Sequence, residues 1–195
     1  EHDLAAAAVL LDGFGASWSL LVDGLWVKDG PYCSAAMAPV QAAQLVAARR
    51  SDEPERVVVR VRPGADTALI QHLPASGEQG RFSLEYLVAL ALRQAPLDLH
   101  TLGAGPADPA SVALARRVTR EHVPAPAPPG RRDRWTEVVA QYADGGTEAA
   151  TVTVPRGAPG RPLDEADRAA KRRAAAGPDA DVRFDEPMAR HTTLR

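Results

Sequence analysis

The chain has a single cysteine, Cys33, in 195 residues, so no internal disulfide can form and the fold must be held by its core. Aromatic residues make up only 5% of the chain, which leaves that core to the alanines, valines and leucines that dominate its 45% apolar content. No apolar run approaches the ~20 residues of a membrane helix, and no charged-then-apolar leader is visible. A membrane span and a signal peptide are therefore not expected, and one cysteine suits a reducing cytoplasm. A strong charge bias is also missing: the formal charge is −2 with interspersed signs, so no nucleic-acid partner is expected. The short patch Arg131-Arg132-Asp133-Arg134 sits in a Pro-rich loop and reads as a solvated edge.

Several chemical signatures are absent as well. Gly13-Phe14-Gly15 has neither a third glycine nor a preceding strand, and there is no Walker-type loop. The five histidines, His2, His72, His100, His122 and His191, fall in loops or at helix ends with no metal-binding spacing, so no metal is expected. Ser17, Ser19 and Ser34 have no histidine at a predictable distance, which argues against a nucleophilic hydrolase. Asp52-Glu53 and Asp164-Glu165 lie at helix ends, where capping explains them. Lysine is the scarcest charge: of 23 basic residues only Lys28 and Lys171 are lysines. An amine kept in an arginine-rich chain points to a compact or titratable cation.

What is present reads as alternating helices and strands. Residues 3–11 are Ala-rich and helical in pattern, and 19–27 read as a strand. The spacing predicts a long helix over 34–50, with Pro39 near its first turn and Ala36, Val40, Ala43, Leu45 and Val46 on its buried face. Arg56 to Arg62 alternates with Val57, Val59 and Val61 on one side, a strand with one wet face. Residues 66–73 read as weak helix or loop and 77–80 as a polar hinge. Ser83 caps an apolar helix over 84–92, and Asp108-Pro109 opens another running to about Val118. The prolines of 124–130 favour an extended surface excursion. Two strands, 135–142 and 149–154, flank the hairpin signal Asp144-Gly145-Gly146, and a charged helix over 163–175 is capped at Asp164. This order predicts an α+β domain, an antiparallel sheet with helices on one face, over 1–176, with 177–195 a flexible tail or docking arm.

Two segments carry candidate chemistry. Phe82 at N′ and Ser83 at the N-cap put Tyr86 in the first turn of a helix, where unpaired N–H groups and the positive dipole end favour an anion. That phenol is either a group that binds or protonates a carboxylate or a half-buried anchor of the helix start. In Lys28-Asp29-Gly30-Pro31-Tyr32-Cys33 a lysine stands at a junction between a β-like run and a helix. It is either a functional cation or a surface residue of a loop edge.

In order along the chain, these and further motifs resemble the second domain of the MmgE/PrpD family, which includes 2-methylcitrate dehydratase, cis-aconitate decarboxylase and iminodisuccinate epimerase. Phe14-Gly15-Ala16-Ser17-Trp18 matches the family's approach to the lysine motif, and Lys28 to Cys33 matches the motif itself. Gly80 to Tyr86 matches Gly-Lys-Phe-Ser-x-x-Tyr. Val112 to His122, Val138 to Val154, and Val154-Pro155-Arg156-Gly157 through Pro162-Leu163 to Lys171 follow in register. The resemblance implies an α+β fold, no metal or organic cofactor, and an active site in a cleft closed by a larger all-helical domain. Carried over by position, Lys28 and Tyr86 are the expected catalytic residues, binding and protonating a small polycarboxylate. Cys33, Ser83 and His72 join them as expected substrate contacts, although Cys33 also fits a small packing role and His72 an exposed loop position. Met37 replaces a histidine found in many members nine residues after the lysine.

Two functions follow from the resemblance. The chain is one half of a lyase or isomerase, performing dehydration, decarboxylation or epimerisation once a helical domain or subunit closes the cleft. Alternatively it is a non-catalytic module for dimerisation or carboxylate binding. Both imply a partner, either the helical half or a second copy.

Overall fold

The computed structural model describes residue 15, residues 24–124 and residues 134–176. The expected helix over 3–11, most of the strand over 19–27, the excursion beyond Pro124 and the tail 177–195 lie outside the described residues.

Cys33 precedes a short 3-10 turn, Ser34–Ala36, that leads into helix α1, Met37–Ala47. The expected single helix is therefore a tight turn followed by a shorter helix, and Pro39 falls in the first turn, where its missing N–H costs no internal bond. Strand β1, Arg56–Val61, follows. The polar hinge expected at 77–80 is instead one helical turn, α2, Gly77–Gly80, because Ser76 caps it by accepting from the Gln79 N–H. Helix α3, Leu84–Leu92, is capped by Ser83 as expected. Helix α4, Pro109–Ala115, starts at the Asp108 cap and ends sooner than the spacing predicts, since strand β2, Val118–His122, takes over. Strands β3, Thr136–Gln141, and β4, Thr147–Val152, form the hairpin, and helix α5, Glu165–Ala176, closes the described chain.

The fold is α+β. The four strands lie in the order β2-β1-β3-β4, with β1/β3 and β3/β4 antiparallel and β1/β2 parallel. The parallel pair departs from the all-antiparallel expectation. Its cause is the connection: the chain leaves β1 and crosses over through α2, α3 and α4 before entering β2, and a crossover returns a strand in the same direction. The β3/β4 turn is tight, with Gly145 at φ +82° and the Gly146 N–H bonded to Asp144 Oδ1 at 2.8 Å.

One sheet face is dry and the other wet. Val57, Val59, Val138, Ala140 and Val152 are buried in one core with residues of α1 and α3. On the opposite face Arg60 reaches both neighbours, Glu121 at 3.0 Å and Glu137 at 2.8 Å, across the register that aligns them. Helix α3 is apolar almost all round and buried at every position but Glu85, which places it at the centre of the domain. In α1, Val40, Ala43 and Val46 face the core as expected. Leu45, expected on that face, is instead 43% exposed, on the side of the helix turned from α3 and the sheet.

Candidate functional site

Residues 24–33 adopt no regular structure over 24–28, contrary to the expected strand end. A ladder-like bond, Val27 N–H to the Gly157 carbonyl at 2.8 Å, ties this segment to the stretch before α5. Gly157 is required there: its φ is +93°, and a Cβ would collide with the Val27 carbonyl oxygen.

Just beyond Val27 lies Lys28, exposed, and then Asp29, which anchors the loop. Asp29 accepts from the Tyr32 hydroxyl at 2.7 Å and from Gln41 Nε2 at 2.8 Å, and Arg156 stands 3.7 Å from it. Tyr32 is buried; that burial first, and then the charge and hydrogen bond of Asp29, push its phenol well above the ordinary range. The phenol therefore stays protonated and acts as a fixed donor to Asp29. Gln41, also buried, uses both ends of its amide: Nε2 donates to the Arg156 carbonyl at 3.1 Å, and Oε1 accepts from the Arg156 N–H at 2.7 Å. Arg156 in turn pairs with Asp167 of α5 at 3.3 Å. These bonds fix the Lys28 loop, the 154–163 segment and α5 to one another.

The consequence is that the two lysines of the chain meet. Lys171 of α5 donates through Nζ to the Lys28 carbonyl at 2.7 Å, across 143 positions of sequence. Both line a pocket of about 240 Å³ whose apolar wall includes Pro31, Leu97, Leu99 and Ala175. Asp29 reaches the same pocket, but its carboxylate is already held by Tyr32, Gln41 and Arg156. Lys28 and Lys171 are the two basic residues of the pocket lining.

The other expected site residues are dispersed. Tyr86 is fully buried, and its hydroxyl accepts from the Asp108 N–H at 2.9 Å at the start of α4. Burial raises its phenol above the ordinary range, partly offset by that hydrogen bond. Ser83 is also fully buried and accepts from the Tyr86 N–H at 3.3 Å. Neither is among the residues lining the Lys28 pocket. Cys33 is partly exposed and packs on the core at the start of the 3-10 turn, where its thiol makes no capping bond and its N–H donates to the Arg81 carbonyl at 2.9 Å. The next two residues, Ser34 and Ala35, line a second pocket of about 480 Å³ with Arg62, Thr67, Arg134 and Trp135. His72 is exposed on the loop before α2. Met37, which stands where many relatives carry histidine, is fully buried.

Sequence reasoning missed one charged group altogether. Arg120 of β2, 5% exposed in its side chain, binds Asp66 at 2.7 Å, Glu85 of α3 at 2.9 Å and the Ile70 carbonyl at 3.3 Å. His122 Nε2 lies 2.9 Å from the other oxygen of Asp66. Burial alone would raise the Asp66 carboxyl, but the hydrogen bonds from Arg120 and His122 outweigh it and hold the group below its ordinary value. The signal was the period of β2: Val118, Arg120 and His122 fall at every second position, so the two polar side chains share the face of the buried Val118. Among the described residues no group of three or more histidine, cysteine or acidic side chains could hold a metal ion, and no helix is long and apolar enough to cross a membrane.

The model of the MmgE/PrpD C-terminal domain matches residues 31–186. No curated protein matches the chain.

Proposed function

Because the chain belongs to the MmgE/PrpD C-terminal domain family, we propose that it is one half of a lyase or isomerase for a small di- or tricarboxylate, completed by a helical domain or subunit. The observation that carries this reading is the convergence of Lys28 and Lys171, the only lysines in the chain, on one pocket. In this reading the lysines supply point charges for a carboxylate, and charge developing on the substrate during proton transfer is stabilised by the same cations. In this reading Lys28 is the acting cation. The chain holds the substrate's carboxylate, and the partner half excludes water and supplies the remaining acid–base groups, for dehydration, decarboxylation or epimerisation, in the cytoplasm.

Tyr86 enters the reading as a positioning residue, since its hydroxyl is already engaged with the α4 start. Ser83 is the cap that sets α3. Cys33 and His72 both have solvent-accessible surface and remain the other side chains of this half that a docked partner can bring to the substrate.

The test is turnover by the chain combined with a helical MmgE/PrpD-type half, assayed on citrate-like substrates. Lys28→Ala is expected to lower kcat/KM by ~10²-fold or more, the scale for loss of one preorganised charge stabiliser, with Lys28→Arg restoring only part. Wild-type turnover in Lys28→Ala would overturn the reading.

A further inference from the structure

We propose that helix α5 is a detachable strap across the pocket that Lys28 and Lys171 line: it lifts as a unit from a hinge after Leu163, and its position decides whether the pocket is closed or open. The inference concerns the pocket used in the proposed function, but it rests on how α5 is attached and not on the chemistry assigned there.

The sequence of α5 gives it almost nothing to bury. Its twelve residues are six alanines and six charged side chains, and none of its described residues is buried. Hydrophobic stabilisation follows the apolar area removed from water, so it contributes little to seating this helix. Leu163, 4% exposed, is the last buried residue before it, which puts the hinge between Leu163 and the Asp164 cap. Beyond that point, among the described residues, two polar contacts tie α5 to the rest of the domain: Asp167 to Arg156 at 3.3 Å, and Lys171 Nζ to the Lys28 carbonyl at 2.7 Å. Both lie at the surface, where such contacts are weak and are screened by salt. The helix's other polar contacts are internal. Asp164 and Asp167 accept from each other's N–H, and Glu165 pairs with Arg168 and Arg172, which favours the helix without holding it to the domain. The receiving side is built differently: Asp29 keeps Tyr32 and Gln41, and Gln41 keeps the Arg156 backbone, with or without α5 in place. Lifting therefore takes Lys171 and Ala175 out of the pocket lining and leaves Pro31, Leu97 and Leu99 open on one side.

The experiment is amide hydrogen exchange of the full chain. Once lifted, α5 is a twelve-residue helix in water, a length at which an isolated helix is marginal, so its amides exchange. The amides of 168–176 are expected to be protected less than ~10²-fold, whereas those of the buried α3 follow global unfolding, at about 10³-fold or more. Asp167→Asn and Lys171→Gln should each speed exchange about 1.5- to 5-fold across the whole of 168–176, the range for one surface contact, and leave α3 unchanged. Raising salt to about 1 M, where the screening length falls to about 3 Å, should move wild-type α5 toward the variants. Protection of 168–176 equal to that of α3 would overturn the proposal. So would unchanged exchange in both variants, or faster exchange confined to the amides next to each substitution. No turnover enters this measurement, so a failed assay of the paired halves leaves the strap standing, and a firmly held α5 leaves that assay standing.

Discussion

At Tyr86 the phenol oxygen accepts from the Asp108 N–H inside the fold, so removing that oxygen leaves a buried donor without its acceptor. Tyr86→Phe is expected to cost about 1–3 kcal/mol of stability, read as a lower denaturant midpoint. In paired halves its kcat/KM per folded molecule should stay within a few-fold of wild type. A fall of ~10² there, with unchanged stability, would make the phenol a proton donor rather than a positioning group. Met37 gives the complementary case. It is fully buried, and its methyl end lies 3.3 Å from where a Cβ on Gly157 would stand, so an imidazole at this position would be buried among apolar groups. Met37→His is expected to destabilise the chain by about 1–3 kcal/mol in urea unfolding. A gain of activity in the paired halves would instead mark the position as a lost catalytic histidine. Single residues whose signals are local were legible in the sequence: Ser83, Asp108 and Asp164 cap the helices they precede because a short oxygen-bearing side chain needs only the next turn as its partner. The inward direction of Tyr86 was not, since it depends on where α4 begins, more than twenty positions away.

Elements inherit the same division. The β3/β4 hairpin was legible from Asp144-Gly145-Gly146, because a tight turn dictates the antiparallel return. The parallel pairing of β1 and β2 was not, because strand direction depends on a crossover spanning three helices. The loop after β1 was read as weak structure, yet it is held by a buried ion network. Asp66 joins it to Arg120 and His122 of β2, and Arg120 joins β2 to Glu85 of α3. Arg120 has a second carboxylate in Glu85, so Asp66→Asn is expected to cost about 3 kcal/mol, the lower end for a broken buried pair. The pH dependence follows from the depressed Asp66 carboxyl. Its folded value lies below the unfolded value of ~3.9, so its contribution is fully present above about pH 4 and is lost as pH falls through the lower folded value. The gap in urea midpoint between wild type and Asp66→Asn should therefore be largest near neutral pH and shrink toward pH 3. A gap that is constant across this range would remove the charge from the explanation.

On the scale of the whole molecule, the sequence contained both lysines but not their meeting. Lys28 and Lys171 are 143 positions apart, and their contact requires the Asp29–Gln41–Arg156 staple and the Arg156–Asp167 pair to seat α5 on the Lys28 loop. The resulting pocket lies at the surface of the described residues, and the domain is one half of a two-domain architecture in the resemblance that its motifs carry. The dependence on a second half is the central claim, and titration with that half tests it most directly. With the chain held constant and a helical MmgE/PrpD-type half added, turnover of a citrate-like substrate is predicted to be undetectable at the start, to rise with the added half, and to saturate near one to one. Turnover by the chain alone at the saturated rate would contradict the account.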